Sequence, residues 1–305
     1  MSKSASPPGS TFTRRSTAGQ VTAGIDLRGK TVMITGCNSG LGFESMRVLA
    51  LRGATIIGAA RSKDKARDAA ANTDGEVIPV ACELSDLDSV AGCAEEVSGL
   101  GRPIDVLMCN AGIMALPELQ QKYGLEMQFL TNHLGHFVLV NRLLDRVRAA
   151  SAGRVVVVSS LGHYSTVAGG INFDNLSGER RYVPFTFYGQ SKLANLLMSN
   201  ELSRRLEGSN ATSNAIHPGI IMTPLMRNIG DVRATLASLF SWPVSRSVEQ
   251  GAATQCYVAT SPGLDQVSGH YFANCNPARM SAHGQSRELA SRLWSVSEEL
   301  AAGYL

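Results

Sequence analysis

No stretch of about 18 consecutive apolar residues occurs in the 305-residue sequence, which argues against a membrane-spanning helix. Runs of basic residues are missing too. The formal net charge of +3 is spread along the chain, so nothing resembles the clustered Lys/Arg surface of a nucleic-acid binder. The six cysteines form no Cys-x-x-Cys pair. Several, Cys82 and Cys109 among them, sit in apolar strand-like runs and read as buried free thiols of a reducing compartment. Acidic residues are absent before Asp26, while residues 1–24 are rich in Ser, Thr, Pro and Gly and carry Lys3, Arg14 and Arg15. This composition predicts a disordered tail over residues 1–28 ahead of one domain over 29–305. An Arg- and Ser-rich transit peptide is the alternative for residues 1–24. The expected location is cytoplasmic, or an organelle under that alternative.

What is present is an ordinary core former, 44% apolar and 17% charged. From residue 30 onward, short β-branched runs alternate with helical patterns. Strands are expected at 31–36, 54–60, 77–82, 104–110, 154–160, 212–217 and near 269–272. Helices are expected at 41–52, 62–71, 86–98, 126–150, around 187–206 and around 247–260. Strands apolar throughout are buried on both faces. The rhythm predicts a single α/β domain, a doubly wound Rossmann-type parallel sheet with helices on both faces.

Directly after the first strand, Thr35-Gly36-Cys37-Asn38-Ser39-Gly40-Leu41-Gly42 opens a helix. Glycines at 36, 40 and 42 let the backbone turn and approach a pyrophosphate, and the helix N-terminus offers N–H groups and a positive dipole end. We therefore take Gly36, Asn38, Ser39, Gly40, Leu41 and Gly42 as cofactor-binding candidates. The second strand ends in Ala60-Arg61-Ser62-Lys63. A carboxylate there would suit the 2′-hydroxyl of NAD, whereas the Arg61 guanidinium suits a 2′-phosphate, so NADP(H) is the expected cofactor.

Tyr188 and Lys192 are four apart, one face of a helix. A cation beside a phenol favours phenolate and draws its pKa down from about 10, so Tyr188 can act as a general acid or base. Ser159 and Ser160 end a strand at the carboxyl edge of the sheet, where either hydroxyl could meet a substrate oxygen. Asn132, with Gly135 close behind, is a poor choice inside a helix and predicts a kink with a polar purpose, such as holding a water near Lys192. His133 and His136 lack a third ligand of suitable spacing, and no metal site is expected.

Together these residues resemble the short-chain dehydrogenase/reductase family, over nearly all of residues 28–300. The resemblance rests on Thr35–Gly42, Asn110-Ala111-Gly112, Asn132, Ser160, Tyr188/Lys192 and Pro218-Gly219. It implies that Ser160, Tyr188, Lys192 and Asn132 are catalytic. It also implies cofactor contacts from Asn110, Ala111 and Gly112, and from Pro218, Gly219 and Thr223 at the nicotinamide end. Glu83 stands where the family has Asp beside adenine, which puts that contact in doubt, and Cys109 replaces the first Asn of Asn-Asn-Ala-Gly. The segments 132–137, 188–193, 217–219 and 250–254 are similar to retinol dehydrogenases and to the oxidoreductase domain of WW-domain oxidoreductases, without a WW domain. Residues 15–26 resemble short-chain dehydrogenases associated with chloroplast protein import, a subgroup that prefers NADP(H).

Residues 218–248 are expected to form a substrate-binding lobe, with Leu236, Leu239 and Phe240 as an apolar stripe. The stripe suits a lid over a lipophilic substrate, a peripheral membrane contact, or a core or homodimer contact. The expected function is NADP(H)-dependent hydride transfer to or from an apolar carbonyl/alcohol pair, retinoid-, steroid- or alkyl-aldehyde-like. A sensor or scaffold that binds NADPH with little turnover is the rival, and reduction of a conjugated C=C bond is a third option.

Overall fold

The structure, a computed structural model, describes residues 7–221 and 246–305. Its eight-stranded sheet runs in the order β10-β9-β8-β7-β4-β1-β2-β3. The strands are β1 Thr31–Thr35, β2 Thr55–Ala60, β3 Val77–Ala81, β4 Val106–Cys109, β7 Arg154–Val158, β8 Thr212–His217, β9 Tyr271–Ala273 and β10 Asn276–Pro277. All pairings are parallel except β9 with β10. A separate hairpin joins β5 Gln121–Lys122 to β6 Leu125–Glu126.

The pleat divides each strand between two cores. Met33, Ile57, Leu107, Val155 and Val157 face one, with α4 Leu87–Gly99, α6 Gly135–Arg148, α7 Pro184–Arg205 and α9 Arg287–Leu300. Ile34, Ile56, Met108, Val156 and Val158 face the other, with α1 Ala18–Val21, α2 Gly40–Leu51, α3 Lys63–Ala71 and α8 Val248–Thr260. Both faces being covered is why the strand sequences do not alternate apolar with polar. The strand order reverses between β1 and β4, which opens a crevice at the carboxyl ends of those strands. Among the described residues no helix is long and apolar enough to cross a membrane.

Three differences from the sequence expectations have local causes. The segment 126–150 is not one α-helix: α5 Met127–Phe129 leads into a π-helical turn, Leu130–Leu134, before α6. The expected kink at Asn132 is that turn. The tail is not disordered through residue 28. Thr17 and Gln20 cap α1 reciprocally, Ala18 and Val21 are buried, and Ser10 bonds to both Asn276 and the Cys275 carbonyl. Its polar composition concealed a capping box and two small apolar anchors. Helix α9 and the β5–β6 hairpin were not expected at all. Most of the 218–248 lobe lies outside the described residues, including Thr223 and the 236–240 stripe.

Candidate active site

The crevice at the sheet's carboxyl edge is a cleft of about 1330 Å³. Its walls include Gly36, Asn38, Ser39, Gly40, Leu41, Gly42, Arg61, Glu83, Asn110, Ala111, Gly112, Ser160, Tyr188, Lys192, Pro218 and Gly219. One cavity thus gathers the expected phosphate loop, the exposed guanidinium after β2 and the tyrosine–lysine pair.

At the loop, Gly36 and Gly40 have φ of +70° and +53°, conformations that side chains resist. A Cβ on Gly42 would come 2.1 Å from the Gly36 carbonyl oxygen. Asn110 pins the same turn by donating its amide Nδ2–H to the Thr35 carbonyl at 2.8 Å. Ser39 makes no side-chain cap on α2, whereas Ser62, Asp86, Ser247 and Ser286 cap α3, α4, α8 and α9. The first-turn N–H groups of α2 are therefore left without a side-chain cap beside the cleft, the arrangement a dinucleotide pyrophosphate needs. Gly42→Ala is expected to weaken dinucleotide affinity at least tenfold and to lower thermal stability, since backbone stands in the way. Fluorescence titration with NADPH and a melting curve check both.

At the chemical end, Ser160 and Ser159 separate cleanly. The Ser159 hydroxyl donates to the Lys192 carbonyl at 2.7 Å and is spent. The Ser160 hydroxyl accepts from Gly162 N–H at 3.0 Å, as cap of the 3₁₀ turn Leu161–Tyr164, and lies beside Tyr188, since a Cβ built on Gly162 would meet both side chains. Gly162 is required here, because a Cβ would lie 2.9 Å from the Tyr188 ring. Lys192 is buried one helical turn from Tyr188 on α7, its Nζ donating to the Val158 carbonyl at 3.2 Å. Burial lowers its pKa to about 8. Burial also raises the Tyr188 phenol above its ordinary value, and the Ser160 hydrogen bond opposes this. The expectation that Lys192 draws the phenol down does not hold among the protein's own groups. The ammonium is 5.9 Å from the ring centroid, and burial acts more strongly.

Asn132 lies behind the wall rather than on it. Its Oδ1 accepts from Ile113 N–H at 2.7 Å, and its Nδ2 donates to the Ile113 carbonyl and to Ser191 Oγ, both at 2.9 Å. A Cβ on Gly112 would come 3.0 Å from Asn132 Oδ1 and 3.3 Å from Lys192 Nζ, so these three groups adjoin. Glu83 lines the cleft, but its Oε1 accepts from both the backbone and hydroxyl of Ser85.

The model of the short chain dehydrogenase family matches residues 30–234. The chain belongs to that family. Short-chain dehydrogenase TIC 32 A, chloroplastic, of Brassica napus is 42% identical over 299 residues, covering 93% of this chain and 92% of its own. Retinol dehydrogenase 12 of Mus musculus is 38% identical, covering 92% and 89%. Among solved structures, an uncharacterized protein from Mycobacterium paratuberculosis matches with a TM-score of 0.76 at 36% identity, covering 92% of this chain and 97% of that one. The protein is thus an oxidoreductase of the short-chain dehydrogenase family, on a Rossmann-type fold.

Two buried histidines near the short-chain dehydrogenase cleft were not expected to serve it. His136 Nδ1 lies 2.9 Å from the Asn132 carbonyl, which can only accept, so Nδ1 carries the proton. Burial lowers the His136 pKa to about 4, so the neutral ring accepts at Nε2 from the Thr35 hydroxyl at 2.9 Å. Thr35 Oγ1 in turn accepts from the N–H groups of Asn110 and Ala111, both at 3.0 Å. This chain ties the π-turn to the phosphate loop. The spacing of four from Asn132 was the signal available in the sequence. The second is His163, in the 3₁₀ turn Leu161–Tyr164 that follows β7.

Proposed function

We propose that the protein is an NADP(H)-dependent oxidoreductase acting on the carbonyl or alcohol of an apolar substrate. The observation that carries this reading is the single cleft that holds Arg61 at one end and the Ser160–Tyr188–Lys192 group at the other. Ile113, Met114, Leu116, Met127, Leu161 and Phe185 also line the cleft and offer an apolar wall for a substrate. The name of the mouse relative carries retinol, an apolar alcohol.

The uncapped N-terminus of α2 and the glycine cradle fit a pyrophosphate, and the exposed Arg61 and neighbouring Lys65 fit a 2′-phosphate. A bound NADPH supplies the hydride. The Ser160 hydroxyl donates to the substrate oxygen, and the Tyr188 phenol, held protonated by burial, delivers the proton to it. The Lys192 ammonium would hold the ribose and lend positive charge near the phenol. Asn132 braces Gly112 and Ile113 against Lys192 and would anchor a proton-relay water there. Organelle residence is compatible with the chloroplast location in the name of the Brassica relative.

The test is NADPH consumption against retinoid, steroid and alkyl aldehydes, repeated with NADH and with Arg61→Asp. Turnover is expected with apolar aldehydes and with NADPH over NADH. Arg61→Asp should cut that preference roughly tenfold to a hundredfold, the weight of a charge-assisted pair replaced by repulsion. Tight NADPH binding without turnover of any aldehyde would favour a sensor and sink the proposal.

A further inference from the structure

The 3₁₀ turn that presents Ser160 is joined to the C-terminal part of the chain through one imidazole. His163 is fully buried. Its Nδ1 lies 2.6 Å from the Ser160 carbonyl, and the backbone N–H of Ser281 points at its Nε2 from 3.1 Å. A carbonyl only accepts and a backbone N–H only donates, so geometry alone fixes one neutral tautomer, protonated at Nδ1. The backbone N–H of His163 closes on the same Ser160 carbonyl at 3.2 Å. The ring is packed edge-on against Tyr271, with centroids 5.0 Å apart, and tilted against Tyr164 at 4.2 Å. Tyr164 makes a second bond to the far segment, its hydroxyl donating to the Arg279 carbonyl at 2.9 Å. Ser281 is itself anchored, its hydroxyl accepting from Gly284 N–H at 3.1 Å. Residues 279–285 lie beyond the span matched by the family model, so this tie joins the shared catalytic frame to a part of the chain outside it.

We propose that His163 is a positioning residue, a neutral strut that fixes the Ser160 turn against residues 279–285 and so holds the Ser160 hydroxyl beside Tyr188. The strut acts on the carbonyl of the same residue whose hydroxyl lies beside Tyr188. Rotating that peptide moves the hydroxyl, and a neighbouring loop would then be felt in turnover without touching substrate. This rests on the reading of Ser160 and Tyr188 as the catalytic pair.

His163→Phe keeps an aromatic ring in the pocket and removes both side-chain bonds. His163→Asn keeps an amide N–H within reach of the Ser160 carbonyl and gives up Ser281. Both are measured for NADPH affinity, for kcat on the best aldehyde of the panel, and for hydrogen exchange at the Ser281 amide and the 161–164 turn. His163→Phe is expected to lower kcat roughly tenfold, the weight of the lost bond to the Ser160 carbonyl, with NADPH affinity within about twofold. His163→Asn should recover part of that loss, and exchange at Ser281 should rise in both variants. In a Ser160→Ala background His163→Phe should cost less than about twofold, because the group it positions is gone. An undiminished loss in that background overturns the positioning role, since a general packing defect would add. Unchanged exchange at Ser281 in His163→Asn overturns the strut, whatever the turnover and even where the Phe variant does not fold. Full turnover in Tyr188→Phe would instead overturn the underlying reading of the site, and the exchange result would still decide the strut on its own.

Discussion

Tyr188→Phe is expected to lose roughly a thousandfold or more in kcat while binding NADPH within about threefold of the unaltered protein, because only a proton donor is removed. The ring is buried on α7 and seated against Gly162, whose missing Cβ would otherwise lie 2.9 Å from it. Phenylalanine occupies that seat without strain. What disappears is the phenol hydroxyl on the Ser160 side of the cleft. Since burial raises the phenol above its ordinary value, Tyr188 is protonated throughout the neutral range and ready as an acid. Reduction should therefore be nearly flat with pH through neutrality, while oxidation, which needs the phenolate, should rise toward alkaline pH. Steady-state kinetics in both directions check this. A Phe variant retaining kcat within tenfold would remove Tyr188 from the chemistry, as would a reduction rate that climbs with pH as steeply as oxidation.

The sheet was readable because buried parallel strands leave long apolar runs, and the ends of β1, β2 and β3 fell within a residue or so of where those runs stop. The phosphate loop was equally plain, since few sequences other than a glycine-rich turn can bring Gly42 to its distance from Gly36. The kink at Asn132 was legible as a conflict between residue choice and helix, although its geometry, a π-turn, was not. Other features depend on contacts remote in sequence. His163 meets Ser281 across 118 positions, and His136 meets Thr35 across 101. Nothing in the neighbourhood of either histidine announces its partner. The arm around Thr17 resembled a tail because tails and capping boxes are written in the same residues, Ser, Thr and Gln. The two-residue strands of the β5–β6 hairpin are too short to show a period. Helix α9 does carry a period, with Ala290, Leu293, Trp294 and Ser297 on its buried face, and simply was not expected.

Lys192→Met should abolish turnover, by roughly a hundredfold or more, and at the same time make the protein more stable at pH 7. Loss of activity follows from removing the charge proposed to hold the ribose beside Tyr188. The gain in stability follows from burial. The folded protein holds the Lys192 ammonium with a pKa of about 8, against the ordinary 10.5, so the unfolded chain binds that proton more tightly. At pH 7 the cost of the buried charge is fully present. It shrinks as pH rises through about 8 and is gone above the unfolded value, so this residue makes stability increase with pH across that interval. At about 1.4 kcal/mol per unit, the cost is on the order of 3 kcal/mol. Removing the ammonium leaves no orphan, because the Val158 carbonyl that accepts from Lys192 also accepts from Asn195 Nδ2 at 3.1 Å. Methionine is unbranched and of similar length, so it can fill the same channel along α7. Melting temperatures of the two proteins should differ most near pH 7 and converge toward pH 10. A methionine variant that melts lower at pH 7, or a difference that grows with pH, would mean that Lys192 is held by stronger interactions than its bond to Val158.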